Sequence, residues 1–411
     1  MKRDPLAAYD LGLLFCVLTL LALGILMVYS ASGARALDTL DNPQYYLLQQ
    51  SAWGVFGLAA MAIAAKIDYR RYRAIAAPLL GIALVLLTIV MIPGIGTSVG
   101  GATRWLRIYG PVGLQPAEFA KLALVLYLAA WLSARRAQLA SGRLMLQFLI
   151  VVGLVGALVA IEPDLGTTIV LVGIALLMYF AAGARLVEFG ALGLLAAVAA
   201  AAFAVSADYR RARLLAFLDP WSDPSGAGFH VVNALYALAL GGPFGEGLGV
   251  GREKFGWLPA PYTDSIFAVL SDELGLVGAI AVILLFAGLV VQGLRIARRA
   301  PDTYGALLAV GITSWLGLQA WINMAVVASL VPMTGITLPF ISYGGSSLLV
   351  SLTSVGILLN VGRQGSLERR IVRGNAHPAR GRRDRRSHEP ASGGERRAAR
   401  PAGLPFRFRR R

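Results

Sequence analysis

Apolar runs of about 20 residues recur along the chain, and none carries the polar stripe that a helix packed on a soluble core would show. That length crosses a bilayer core of roughly 30 Å as a helix. Ten runs are legible, at about 9–30, 46–66, 75–92, 117–133, 144–161, 165–182, 186–206, 265–294, 304–328 and 343–361. They predict an all-α polytopic membrane protein with about ten transmembrane helices. Most polar connections are short. The long ones are 93–116, the stretch at about 207–264 between spans 7 and 8, and everything after 362. The first run follows "MKRD" with no small-residue cleavage site and is too long for a signal-peptide core, so it reads as a retained span.

Basic residues orient the chain. With the N-terminus inside, the inner connections hold Arg70, Arg71, Arg73, Arg135, Arg136, Arg143, Arg185, Arg295, Arg298 and Arg299, which satisfies the positive-inside rule. Both termini are then cytoplasmic, and the loop at about 207–264 is extracytoplasmic. The net charge is +16; residues 363–411 hold 16 Arg against 4 Asp and Glu, hence +12, and the rest of the chain +4. That end is poor in large apolar residues and reads as a disordered basic tail over 363–411, behind a membrane domain over 1–362. A solvated tail that fixes topology accounts for it, and attraction to anionic membrane lipids would add to this. No domain supports nucleic-acid binding. The single cysteine, Cys16, rules out a disulfide framework and reads as a packing residue. Of three histidines, His377 and His388 lie in the tail, so a histidine-rich metal site is not available.

Ionisable residues within apolar surroundings carry the candidate chemistry, because such groups face a protein interior or a wet cavity and have partners there. Lys121 lies one turn into "AEFAKLALVLYLAAWL", three residues after Glu118; Asp164 sits in "IEPDLGTTIVL". A Lys121–Asp164 pair locking neighbouring helices is one reading and ligand binding another, and the residues leave both open. Asp272 and Glu273, two turns into the span after Asp264, read as structure or cavity lining. Asp264 itself, in "WLPAPYTDSIF", precedes an apolar helix, where a plain N-cap is the simplest role. Against that, Pro259 and Pro261 stiffen its approach. The outer loops also bring Arg104, Arg107, Arg210, Arg211, Arg213, Arg252 and Lys254 to the same side, which suits a phosphate-bearing ligand.

"GGPFGEGLGVG" has glycine spacing like a nucleotide fingerprint, but no strand or βαβ unit frames it; its glycines suit a re-entrant or tightly turning segment. "VPMTGITLPFISYGGSSLLVSL" breaks helix at Pro332, Gly335 and Pro339 and supplies Ser342, Ser346 and Ser347. Non-helical backbone at membrane depth must be buried in protein or line a cavity, so an outer pocket is expected. Gln319 and Asn323, four apart, can point both amides into one space.

Five segments in order, "RWLRIYGPVGLQPAEFAKLAL", "EPDLGT", "FLDPWSDPSGAGFH", "REKFGWLPAPYTDSIFAVLSDELGLVG" and "TGITLPFISYGGSSLL", resemble the SEDS family of shape, elongation, division and sporulation proteins. The resemblance covers roughly residues 9–363. "REKFGWLP" and "FISYGGSSLLVSLTSVGILLNVGR" are nearer to its cell-division members than to its elongation members. The chain departs from the family pattern at Thr103, Ala117, Tyr262 (usually His) and Phe229–His230 (usually Tyr-Gln).

The resemblance implies a peptidoglycan glycosyltransferase. Such enzymes join lipid II units into a growing glycan strand at the outer face of the bacterial cytoplasmic membrane, here at the division septum. They work beside a class B penicillin-binding protein and other division proteins. The family's essential aspartate falls on Asp264, which would act as general base in an inverting attack. Substrate-binding candidates are Arg104, Glu118, Lys121, Asp164, Arg252, Lys254, Gln319, Asn323, Ser342, Ser346 and Ser347. The cations among them suit the polyprenyl pyrophosphate leaving group, with a divalent ion such as Mg2+ or Mn2+ as a further possibility, although no metal cage is legible. A lipid II flippase, an elongation-type polymerase and a non-catalytic scaffold are the alternatives; ten spans, charges near mid-membrane and broken helices suit a transporter equally well.

Overall fold

The computed structural model describes residues 9–99, 102–109, 112–139, 141–251 and 257–375. Seven helices come first: α1 (Leu11–Leu40), α2 (Tyr45–Lys66), α3 (Tyr72–Val90), α4 (Pro116–Ala134), α5 (Gly142–Ile161), α6 (Leu165–Ala181) and α7 (Leu186–Ala204). Two shorter ones, α8 (Asp208–Leu218) and α9 (Phe229–Leu240), occupy the long loop, and α10 (Ile266–Arg299), α11 (Thr303–Val327) and α12 (Gly345–Asn375) complete the bundle. Among the described residues nine helices are long and apolar enough to cross a membrane. The tenth expected span is α6, whose 17 residues rise about 25 Å, close to the bilayer core.

The helices alternate between two faces, each tied by its own polar contacts. On one, Tyr9 accepts from Arg363 Nη1 at 2.9 Å, and Tyr69 donates to Asp302 at 2.7 Å. Here also lie the Arg-rich connections, so α1 begins where the last span ends, as the charge pattern predicted. The other face carries the long loops and the serine-glycine segment. Cys16 is buried with its sulphur against Gly288 of α10, a packing role as expected.

Three features depart from the sequence reading. The 93–116 connection contains an antiparallel sheet, with β1 (Gly96–Val99) pairing β2 (Ala102–Tyr109) and β2 pairing β3 (Val112–Leu114). Its strands are rich in Val, Thr, Trp, Ile and Tyr, which favour a pleated surface, but they are too short to stand out in a polar loop.

Second, α10 is not one continuous helix: Gly275 breaks it at φ 67, ψ −168. The glycine-rich loop fills the break. Glu246 N donates to Asp272 O (3.0 Å), Gly247 N to Glu273 O (3.1 Å), and Leu276 N to Gly242 O (2.9 Å). Backbone freed by the break is thus satisfied by backbone from the loop, as membrane depth requires. Ser30 Oγ of α1 lies 2.6 and 2.8 Å from the two carboxylate oxygens of Glu273. A structural role for it is borne out.

Third, the compact unit runs to Glu368 rather than 362, and α12 continues to Asn375. Residues 363–375 are therefore helical, not part of a disordered tail. The stretch "RQGSLERRIVRGN" is made largely of good helix formers, and extending an existing helix needs no new nucleus. The rest of the expected tail, 376–411, lies outside the described residues.

Candidate active site

Asp264 stands in the turn before α10, and it does not cap that helix. The N-cap is Ser265, which makes no side-chain cap bond. Asp264 Oδ1 accepts from its neighbour Thr263 Oγ1 at 3.0 Å, and its backbone carbonyl is held by Asn323 Nδ2 at 2.8 Å. Ser342 Oγ donates to Thr263 O at 2.6 Å, and Tyr343 N to Tyr262 O at 2.8 Å. The approach between the two prolines is sharp, with Ala260 at φ 49. The carboxylate is thus placed by contacts from α11 and the 328–344 segment, not by its own helix.

A small cavity of about 10 Å³ opens beside it, lined by Asp264, His230 of α9, Asn323 of α11, and Met333, Thr334 and Gly335. Gly335 sits at φ 67, and a Cβ added there would lie 3.7 Å from Asp264 Oδ2. Only glycine adopts this conformation without strain, so the outer pocket expected from helix breaking at Gly335 is present.

Gln319 and Asn323 do point into one space. Gln319 Nε2 donates to Thr337 O (2.9 Å) and Asn323 Nδ2 to Ile336 O (2.8 Å), so two amides on one face of α11 suspend the non-helical 334–337 backbone. Gln319 Oε1 accepts from Lys121 Nζ (2.6 Å) and Trp315 Nε1 (2.8 Å). Lys121, 2% exposed, bonds Glu118 Oε1 at 2.8 Å. The expected Lys121–Asp164 pair is therefore not what forms. Lys121 is taken by Glu118 one turn back on α4, while Asp164 caps α6, accepting from Thr167 N (3.1 Å) and Thr167 Oγ1 (2.9 Å).

Arg104 of β2 reaches across to that same link. Its Nε donates to Glu162 O at 3.1 Å, its Nη2 bonds Pro163 O, and its Nη1 lies 3.9 Å from Asp164 Oδ2. The guanidinium fork thereby pins the sheet to the α5–α6 turn. Glu162, not singled out from sequence, is 2% exposed and neither carboxyl oxygen has a partner among the described residues. Burial, reinforced by the nearby Asp164 charge, pushes its pKa up to about 8, against the pull of Arg104.

Of the serines, Ser342 fixes the Asp264 turn as described and also accepts from Leu338 N at 2.7 Å. Ser347 lies 3.4 Å from Thr337 Oγ1, and the Ser346 hydroxyl is buried without a partner among the described residues. Arg252 and Lys254 lie outside the described residues. Asp272 and Glu273 belong to the α10 break, away from this cavity's lining.

Two neighbours of Asp264 escaped the sequence reading. His230 Nε2 is 2.7 Å from Ser265 Oγ. Burial lowers its pKa, Asp264 opposing and Arg213 adding to the effect. The available signal was that it is the one histidine ahead of the tail. The second is a tyrosine group: Tyr46 packs on Tyr262 (ring centres 4.7 Å) and Tyr343 (5.1 Å).

A family model described as "Cell cycle protein", spanning FtsW, RodA and SpoVE, matches residues 11–367. Stage V sporulation protein E of Bacillus subtilis is 43% identical over 357 residues, 86% of this chain and 97% of that one. A Trichlorobacter lovleyi protein named "Probable peptidoglycan glycosyltransferase FtsW" is 42% identical over 362 residues, covering 88% and 94%. Among solved structures, a chain from "Structural coordination of polymerization and crosslinking by a peptidoglycan synthase complex" matches with TM-score 0.71 at 30% identity, covering 87% and 98%. Rod shape determining protein RodA of Thermus thermophilus matches with TM-score 0.65 at 28% identity, covering 87% and 97%. With the family match spanning the whole helical bundle and relatives at 42–43% identity over nearly their full length, the chain belongs to the SEDS family, the cell cycle proteins of the FtsW, RodA and SpoVE type.

Proposed function

We propose that this chain is a division-type peptidoglycan glycosyltransferase that polymerises lipid II at the outer face of the cytoplasmic membrane, with Asp264 as its general base. The observation that carries the reading is a carboxylate at a cavity, on a turn held by two other elements, α11 and the 328–344 segment, while its own helix is left without a side-chain cap. A cap would sit at Ser265; a base needs the position that Asp264 has. Support comes also from relatives named "Probable peptidoglycan glycosyltransferase FtsW".

In the reaction, Asp264 takes the proton of the acceptor sugar's hydroxyl while that oxygen attacks the donor's anomeric carbon. The bond to the lipid pyrophosphate breaks and the anomeric centre inverts. A positioned base contributes about 10²–10⁴-fold. Gln319, itself bonded by Lys121, and Asn323 hold the 334–337 backbone that forms the cavity wall. Arg104 holds the α5–α6 turn, its guanidinium partly accessible for a pyrophosphate oxygen. Among the described residues no cluster of three or more His, Cys, Asp and Glu could hold a metal ion. We assign the partner as a class B penicillin-binding protein and the setting as the septum.

A second reading, transbilayer transport of the same lipid, is favoured by an apolar cleft of about 520 Å³ between α5, α6 and α7. The discriminating experiment reconstitutes the purified protein with its penicillin-binding partner in liposomes and follows both glycan ladders and lipid movement. Ladders are expected. Lipid movement without ladders would reverse the assignment.

A further inference from the structure

His230 is the second residue of α9, and its place is set locally. In the preceding turn Asp223 accepts from Gly226 N (3.0 Å) and Ala227 N (2.8 Å), and Gly228 N donates to Asp223 O (2.9 Å). That turn delivers the imidazole to Ser265, the residue after Asp264. Ser265 Oγ lies 2.7 Å from His230 Nε2 and also donates to Pro259 O at 2.9 Å. A hydroxyl has one proton, and the carbonyl can only accept. With that proton on Pro259 O, Nε2 must be the nitrogen that carries hydrogen in the neutral ring, leaving the lone pair on Nδ1.

The same ring lines the cavity beside Asp264, whose volume of about 10 Å³ admits about one water. Two more lining groups have unmet needs: Asn323 Oδ1 and Thr334 Oγ1 are buried without partners among the described residues, and Asn323 is 2% exposed. Orphaned buried polar atoms around a water-sized space are the mark of a water site.

We propose that His230 is the proton outlet of Asp264, receiving through one water in the shared cavity the proton that Asp264 removes from the acceptor hydroxyl. The inference rests on the glycosyltransferase reading and deepens it. The acceptor O–H breaks and an Asp264 O–H forms. That proton passes to the water as the water gives one to Nδ1, and the imidazolium releases its Nδ1 proton to bulk water through the open side of the cavity. Asp264 is a carboxylate again for the next sugar. Among the described residues the charged groups acting on the ring are Asp264, which favours the imidazolium, and Arg213 of α8, which opposes it. Burial opposes it as well, as does the positive end of α9. The ring therefore rests neutral and gives up the proton readily.

The test measures initial polymerisation rates of the full-length protein with its penicillin-binding partner, on lipid II in liposomes, from pH 5.5 to 9. His230→Gln keeps a donor for Ser265 and is expected to fold. Its kcat should fall about tenfold near pH 7 with KM unchanged, and the histidine limb of the pH profile should disappear. Added imidazole should restore rate to His230→Ala but not to Asp264→Asn. Wild-type rate and profile in both His230 variants would overturn the proposal. So would a rate loss that leaves the profile's shape intact and does not respond to imidazole, which is the signature of packing alone. Absence of ladders from the wild-type protein would overturn the underlying glycosyltransferase reading as well, and is distinguished by needing no variant.

Discussion

Among the described residues, three aspartates that precede α-helices cap them, and Asp264 does not. Asp10 accepts from Leu13 N, Asp164 from Thr167 N and Asp302 from Gly305 N. Asp264 stands one residue too early to cap α10, and that single step of register releases its carboxylate. The sequence brought this residue forward through its prolines and its family motif, but the register of the helix start is a matter of ±1 residue that no local pattern resolves. Glu162 was invisible for a related reason: nothing in "IEPDLG" tells which side chain the turn buries. Its carboxyl titrates near 8 when folded and near the usual carboxylate value when unfolded. The folded state thus holds the proton more tightly, and its contribution is complete below about pH 4.5 and lost as pH rises through about 8. Glu162→Gln should flatten the fall in stability between pH 5 and 8 and raise stability at pH 8 by on the order of a few kcal/mol, read as a higher melting temperature. An unchanged pH dependence in a melt series would contradict this assignment.

At the scale of elements, the spans were legible because length and uniform apolarity are strong signals. The break in α10 was not. "SDELGLVGAIAV" reads as uninterrupted helix, and Gly275 looks like any small residue in a membrane span. What decides is the loop "GGPFGEGLGVG", whose backbone bonds the opened turn from 26 to 34 residues away in sequence. The tight turning of that loop was expected; its partner was not. Gly275→Ala places a Cβ 2.3 Å from Gly245 N in a backbone region essentially reserved for glycine. It should cost roughly 3 kcal/mol or more. Gly81→Ala in α3, with nothing within 4 Å, should be neutral or stabilising by about 0.5–1 kcal/mol. Thermal melts in detergent compare the two, and equal effects would show that the loop–helix bonding is not what holds the break.

Across the whole molecule the two faces divide the labour. One face gathers Arg70, Asp302, Tyr9 and Arg363; the other gathers the sheet, the glycine-rich loop and the Asp264 turn. The charge pattern predicted this division. The grouping of Arg104 with the α5–α6 turn, and of Lys121 with Gln319, needed the packing of distant helices and could not be read from spacing. Truncation after Asn375, the last described residue, should leave the polymerisation rate in neutral liposomes within about twofold of the full chain. A large loss there would mean that the removed residues act on the site.

The account stands on Asp264 as a base placed by other elements rather than as a cap. The direct measurement is lipid II polymerisation by Asp264→Asn beside a thermal melt of the same preparation. The account predicts a loss of glycan ladders of at least about 10²-fold with a melting temperature near that of the unaltered protein. Near-normal ladders, or a loss of activity matched by unfolding, would contradict it.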